Sequence, residues 1–172
     1  MAATQKKQVW LWSGEPAEIR VGKMAATQGV IMPGSPVELA SGVLELSDTD
    51  DTTIYGFVIG PVDESTTWPI TAQYAANTEV YVAVVNPDSI YAMYCDSDGT
   101  DSAVAQTNVG VAYGVTVGAT SGYVGYMTCN LGETSNTLVT VVDIASNIEP
   151  EKYTTSDNPG VALVKFTGTL QG

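Results

Sequence analysis

The residues whose types and spacing come closest to a chemical site are three aspartates beside a glycine, in the stretch DSDGTD. The three carboxylates belong to Asp96, Asp98 and Asp101. Carboxylates at alternate positions beside a glycine are typical of calcium-binding loops. In the EF-hand pattern that starts at the first aspartate, however, the required glycine is replaced by the last aspartate and the required glutamate by Thr107. We therefore reject an EF-hand and interpret the stretch as a turn whose aspartates solubilise the surface, with an irregular calcium site as the alternative.

Catalysis by the common nucleophilic and metal-assisted routes needs residues that this chain lacks. It contains no histidine, which excludes Ser-His-Asp and Cys-His sites and histidine-ligated zinc, haem or iron. A second acidic run, DTDD at 48–51, offers paired carboxylates such as glycoside hydrolysis uses. It lies in a polar stretch between predicted strands, where solvated turn residues are the simpler interpretation. We predict that the protein is not an enzyme and that it needs no metal or other cofactor.

The two cysteines, Cys95 and Cys129, are too far apart in sequence for a Cys-X-X-Cys redox or metal motif. They could form a disulfide if the fold brings them together. Isolated cysteines in a β-rich chain are more often small core residues. The sequence alone favours that interpretation and leaves the pairing open.

The charge of the chain argues against two classes of partner. Nineteen acidic residues against six basic ones give a net charge of −13 at pH 7, and such a body repels nucleic-acid phosphates and anionic lipids. The uncharged stretch 108–132 contains a G-x-x-x-G pattern, but it is rich in Gly, Thr, Ser and Tyr and lacks the Leu and Ile density of a transmembrane helix. We predict β-strands there, and neither nucleic acid nor a membrane as a partner.

Short apolar runs rich in Val, Ile, Thr and Tyr alternate with Gly, Pro, Asn and Asp, which predicts many short strands joined by turns. The predicted strands are residues 18–22, 30–32, 36–40, 43–47, 53–60, 79–85, 89–95, 109–118, 122–130, 137–144 and 160–170. Only residues 68–79 are compatible with a short helix. The pattern predicts an all-β fold, a single β-barrel, β-tulip-like or sandwich domain with an extended N-terminal arm.

The N-terminal segment differs from the rest of the chain in charge. Four of the six basic residues lie there: Lys6, Lys7, Arg20 and Lys23. Among them lies the apolar sequence VWLW, which is either the first strand of the core or part of an arm that docks on a partner, where Trp is a favoured anchor. We therefore divide the chain into residues 1–28, an extended arm or first strand, and residues 29–172, a β-rich core domain.

The middle of the chain resembles a known family. The run GSPVELASGVLELSDTDDTTIYGFVIGPVDEST, which starts at Gly34, and the run NTEVYVAVVNPDSIYAMYC at 77–95 resemble the small capsid cement, or head decoration, proteins of tailed bacteriophages. The shared pattern is a short hairpin, an I-x-G-x-V-x-G segment before a polar loop, and two strands joined by a proline turn.

The resemblance implies a β-rich, tulip- or barrel-like domain that trimerises on the outside of an expanded phage head, in a virion assembled in the host cytoplasm. Its partners would be the major capsid protein and further copies of itself. The N-terminal arm would extend the β-structure of the capsid protein by strand addition. The capsid contacts that this predicts are Lys6, Lys7, Val9, Trp10, Leu11 and Trp12.

Two other classes of function stay open at this point. One is another virion subunit, such as a tail-tube, head-fibre or minor capsid protein. The other is a carbohydrate-binding β-sandwich, which needs an exposed aromatic platform. Trp68 and a few tyrosines are the candidates for that platform.

Overall fold

The computed structural model describes residues 9–26, 31–49, 51–63, 77–120 and 123–170. The all-β prediction is confirmed, since these residues form fourteen strands and only two short helical turns. The strands are β1 (Trp10–Ser13), β2 (Ile19–Lys23), β3 (Pro36–Ala40), β4 (Val43–Leu46), β5 (Thr53–Ile54), β6 (Gly56–Pro61), β7 (Glu79–Val84), β8 (Ile90–Ser97), β9 (Thr100–Asp101), β10 (Ala112–Thr120), β11 (Tyr123–Asn130), β12 (Val139–Ile144), β13 (Val161–Phe166) and β14 (Thr169–Leu170). The helical turns are a 3-10 turn (Gln106–Asn108) and α1 (Ala145–Ile148).

Five strands close into a barrel. β8 pairs with β11, β11 with β10, β10 with β12 and β12 with β13, which pairs back onto β8. Every seam is antiparallel except that between β8 and β11, which is parallel and has only two residue pairs in register. The barrel core consists of buried apolar side chains that alternate with residues of the outer face. They include Met93, Cys95, Val115, Met127, Cys129, Val141 and Val164.

A second sheet has its strands in the order β2-β7-β6-β3-β4 and curls until its two end strands meet. Met24, next to β2, forms a single parallel bridge with Leu44 of β4, and the amide of Ala25 donates to the Leu44 carbonyl at 2.8 Å. Gly22 is required at this closure, because a Cβ there would collide with the Leu44 side chain. The sheet has its own buried core of Met24, Ile31, Val37, Leu44, Tyr55, Val58, Val80, Val82 and Val84.

Three aromatic rings join the two sheets. Phe57 of β6 packs against Phe166 of β13 at a centroid distance of 5.8 Å and against Tyr91 of β8 at 6.2 Å, and the last two rings are 5.1 Å apart. Edge and tilted packing of this kind adds to the burial of apolar area. Phe57 therefore joins the barrel core, and the two sheets pack against each other there.

Most predicted strands are present within one to three residues of their expected bounds. The strand predicted at 53–60 is divided at Tyr55, whose amide donates to Val37 while its carbonyl accepts from Val85. The strand predicted at 160–170 is interrupted after Phe166, where two successive amides, at 167 and 168, both donate to the Leu138 carbonyl. Most of the predicted helix at 68–79 and residue 30 lie outside the described residues. No helix in the described part of the chain is long and apolar enough to cross a membrane.

Candidate protein-binding surface

The first strand lies at one end of the barrel sheet. β1 pairs with β8 in antiparallel register, with Trp10 opposite Ala92 and Leu11 opposite Tyr91. It is the edge strand of that sheet, so its outer edge has no strand neighbour among the described residues. Of the predicted capsid contacts, Lys6 and Lys7 lie outside the described residues, and the other four lie in or next to this strand.

The alternation of β1 divides those four side chains between two faces. Trp10 and Trp12 point to one face, where their rings pack 5.5 Å from Tyr94 and 6.3 Å from Tyr153. Both tryptophans are half-buried by these contacts within the chain. The other two residues, at positions 9 and 11, point away from the tryptophans.

Val9 and Leu11 line a groove between β1 and the second sheet. The groove has a volume of about 300 Å³ and is mainly apolar. Its other walls are Pro16, Pro33, Gly34, Phe57, Val58, Ile59, Ala83 and Tyr91. Val9 is buried, whereas Leu11 is 38% exposed, so Leu11 offers the larger accessible contact.

Large apolar side chains continue from the groove over the outside of the second sheet. Six such side chains are exposed in the described part of the chain, and five of them lie on this side. They are Leu11, Ile19, Val21, Ile59 and Tyr81, which we call the apolar face. Val21 lies opposite Tyr81 and Ile19 opposite Ala83, a groove residue, across the β2–β7 pair. The face is therefore one continuous surface.

Of two ion pairs on β2, that of Lys23 borders the apolar face, whereas Arg20 alternates with the outward-facing residues of this strand and projects from its opposite face. Arg20 binds Glu18 at 2.8 Å and Lys23 lies 3.9 Å from Glu79, with all four side chains about half exposed. Hydrogen bonds to Glu18 and then to Tyr55 raise the pKa of the Arg20 guanidinium. An apolar centre with a charged rim is the usual composition of a protein interface. Two of the four N-terminal bases thus already contact carboxylates of their own chain.

The aspartate stretch forms a hairpin between β8 and β9. Its two-residue turn is Asp98–Gly99, with φ angles of +51° and +84°, as a type I′ turn requires. The prediction of a turn is confirmed there, and Asp101 is exposed. The solvated-loop prediction is wrong for Asp96, because β8 continues two residues past its predicted end and places this carboxylate in a buried position, 3% exposed.

Two threonine hydroxyls hold the buried carboxylate. Thr128 of β11 donates to Asp96 at 2.9 Å and Thr116 of β10 donates at 3.1 Å. The carboxylate thus links three neighbouring strands on the face opposite the barrel core. In the ranges that the structure describes, no three His, Cys, Asp or Glu side chains come together in a way that could hold a metal ion.

A polar cleft lies beside the tryptophans of β1, on the outer face of the barrel. Its volume is about 280 Å³, and it is lined by Tyr94, Lys152, Tyr153, Asp157, Asn158, Pro159 and Val161. The Lys152 ammonium lies 4.9 Å from the centroid of the Tyr153 ring and 3.6 Å from Glu149. Burial, followed by the neighbouring Tyr153, raises the pKa of the Tyr94 phenol, while Lys152 opposes the shift. No sequence motif predicts this cleft, although an aromatic residue in the charged loop EPEKYTTSDN is a signal for it.

Comparisons with known proteins return nothing for this chain. No family model, no curated protein and no solved structure gives a significant match. Its function must therefore be argued from the surfaces described above and from the sequence pattern.

Proposed function

We propose that this chain is a structural virion protein that binds the outer surface of a tailed-phage head as a trimer and stabilises the expanded capsid. The observation that carries the proposal is the apolar face, which is continuous with the first strand. Contiguous exposed apolar side chains rimmed by charges are typical of protein interaction sites. The sequence resemblance supplies the identity of the partners, the major capsid protein and further copies of the chain.

The apolar face offers two contacts with different roles. Ile19, Val21 and Tyr81 project from β2 and β7 and suit a symmetric contact in which the same residues of three copies meet at one axis. Leu11 borders the open edge of β1 and suits the capsid contact, whereas Val9 is buried. Strand addition needs an edge with free backbone groups, and residues 1–8 directly precede this one. Many copies on one lattice make weak individual contacts sufficient.

Deleting residues 1–8 tests the capsid contact. We expect the truncated chain to fold and to trimerise, because β1, Val9 and the apolar face are retained. We expect its affinity for expanded heads to fall by about tenfold or more, and its salt dependence to weaken, because Lys6 and Lys7 no longer face an acidic shell. The measurement is co-sedimentation with undecorated expanded heads of the virus that encodes the chain, at low and high salt.

The double substitution Lys6→Gln and Lys7→Gln in the full-length chain is the matched control for charge alone. It should reduce the salt dependence and keep part of the affinity that the deletion removes. A truncated chain that binds heads as well as the full chain would show that the N-terminal capsid contact is wrong. The deletion stops at residue 8 because removal of Trp10 and Trp12 would also uncover the barrel face that they cover.

A carbohydrate-binding module is the second candidate function, and the polar cleft is the observation that favours it. Two tyrosines, a lysine and an aspartate around an open cleft give the mixture of ring surface and polar groups that ligand sites use. This function predicts binding to an array of bacterial surface polysaccharides that Tyr153→Ala weakens by about tenfold. Tyr81→Ala, which leaves the cleft intact, is the control. The candidate is ruled out if the chain binds no polysaccharide of the array, or if Tyr153→Ala leaves the binding unchanged.

A further inference from the structure

We propose that Cys95 and Cys129 form a site of reversible covalent modification, at which a disulfide bond joins β8 to β11 and locks the barrel. The two residues lie directly opposite each other in the parallel seam. Both are fully buried and both are free thiols in the structure. Residues paired across adjacent strands fall within the Cα separation that a disulfide spans. The inference goes beyond the proposed function and does not depend on it.

The position of the pair gives the bond a large structural consequence. β8 and β11 are joined by only two register pairs, Cys95–Cys129 and Asp96–Asn130. The same edge of β8 is occupied by β1 at residues 90–92, and beyond the two pairs the Leu131 amide donates to the Asp96 carbonyl at 2.8 Å. The barrel is closed here through a short pairing, and one of the two register pairs in it consists of cysteines. A covalent bond there would hold the closure at one of the two barrel seams that have only two register pairs.

The surroundings of the thiols determine when the bond can form. A hydrogen bond with Cys95, then burial, then the charge of Asp96 raise the pKa of the Cys129 thiol. Because the thiolate is the reacting species, the closed barrel protects the reduced pair. Exchange therefore requires an opened seam, either during folding or in a local fluctuation.

The reaction needs an external oxidant, for which a low-molecular-weight disulfide such as glutathione disulfide is sufficient. The thiolate of Cys95 attacks one sulfur of that disulfide and forms a mixed disulfide, and one glutathione thiolate leaves. The thiolate of Cys129 then attacks the Cys95 sulfur and expels the second glutathione. The protein loses two protons and two electrons, and one glutathione disulfide is reduced to two thiols.

Refolding in the presence of glutathione disulfide tests the inference. The denatured, reduced chain is refolded with this oxidant or with a reductant, and its thiols are counted by alkylation and mass spectrometry. We expect the oxidised sample to contain one intramolecular disulfide without glutathione adducts. Its melting temperature should be higher by about 5–15 °C, because the bond closes the loop from 95 to 129 in the unfolded chain. The native reduced protein should oxidise at least about ten times more slowly than the refolding chain, since its thiols are buried.

The variant Cys129→Ser keeps one thiol and shows which effects need the pair. It should acquire a single glutathione during oxidative refolding, with no intramolecular bond and no rise in melting temperature. Two free thiols or two glutathione adducts in refolded wild-type protein would overturn the inference. So would a disulfide that lowers the melting temperature, because the seam would then have to distort to form it.

Discussion

Replacing Val21 by aspartate is expected to convert the proposed trimer to monomers while leaving the fold intact. Val21 is 51% exposed and lies opposite Tyr81 at the centre of the apolar face. In the free chain the new carboxylate would be solvated, and the cost in stability would be limited to the lower strand propensity of aspartate, about 1 kcal/mol or less. In the trimer the same carboxylate would be buried without a partner. That penalty is about 3 kcal/mol or more, which corresponds to about a hundredfold weaker association.

The matched control for this substitution is Ile148→Asp. Ile148 is also 51% exposed, but it lies on α1, away from the apolar face. Sedimentation velocity should show monomers for Val21→Asp and trimers for both wild type and Ile148→Asp. Head binding should follow the same order, because a monomer loses the gain from three linked contacts. Trimers of Val21→Asp as stable as those of wild type would exclude β2 and β7 from the subunit contact.

Replacing Asp96 by alanine is expected to lower the free energy of unfolding by about 1–3 kcal/mol. The carboxylate is the acceptor for Thr116 and Thr128 and links β8, β10 and β11. Without it, the Thr116 hydroxyl loses its bond, while Thr128 keeps a longer one to the Thr116 carbonyl at 3.3 Å. The melting temperature should fall by about 2–12 °C for a chain of this size. Urea denaturation followed by circular dichroism measures the change.

The control lies in the same hairpin. Asp101 is paired with Asp96 across β8 and β9, but it is exposed, so Asp101→Ala should change the stability by about 0.5 kcal/mol or less. Asp96→Asn keeps the shape and one acceptor oxygen, and its stability should lie between those of wild type and Asp96→Ala. Equal stabilities of Asp96→Ala and Asp101→Ala would mean that the buried hydrogen bonds contribute nothing to the fold. A rise in melting temperature on adding calcium to wild type would instead support the irregular calcium site.

The sequence predicted the strands well wherever every second residue is apolar. In β7, for example, the valines 80, 82 and 84 face the core and the residues between them face outward. Asp96 was misjudged because a run of aspartates, serine and glycine has the composition of a loop. Only contacts with strands 20 and 32 residues further along the chain make its burial favourable. Such contacts leave no periodic signal in the local sequence.

The candidate surface was only partly predictable. The sequence VWLW indicated an important segment, but its composition suits both an arm and a strand, and the pairing partner of β1 lies about eighty residues away. The pairing also places the predicted contacts on two faces. Trp10 and Trp12 pack against tyrosines of the same chain, while Leu11 remains accessible. In β2, apolar residues at alternate positions would ordinarily face a core. Their exposure follows from the register with β7, which turns Ile19 and Val21 outward.

The most direct test of the proposed function is electron cryo-microscopy of undecorated expanded heads, recorded before and after addition of the purified chain. The proposal predicts new density with threefold symmetry on the outer surface of the shell. In that density β2 and β7 would lie near the axis, and the edge of β1 would lie against the capsid protein. Heads that gain no density, or density confined to the tail or to fibres, would contradict it.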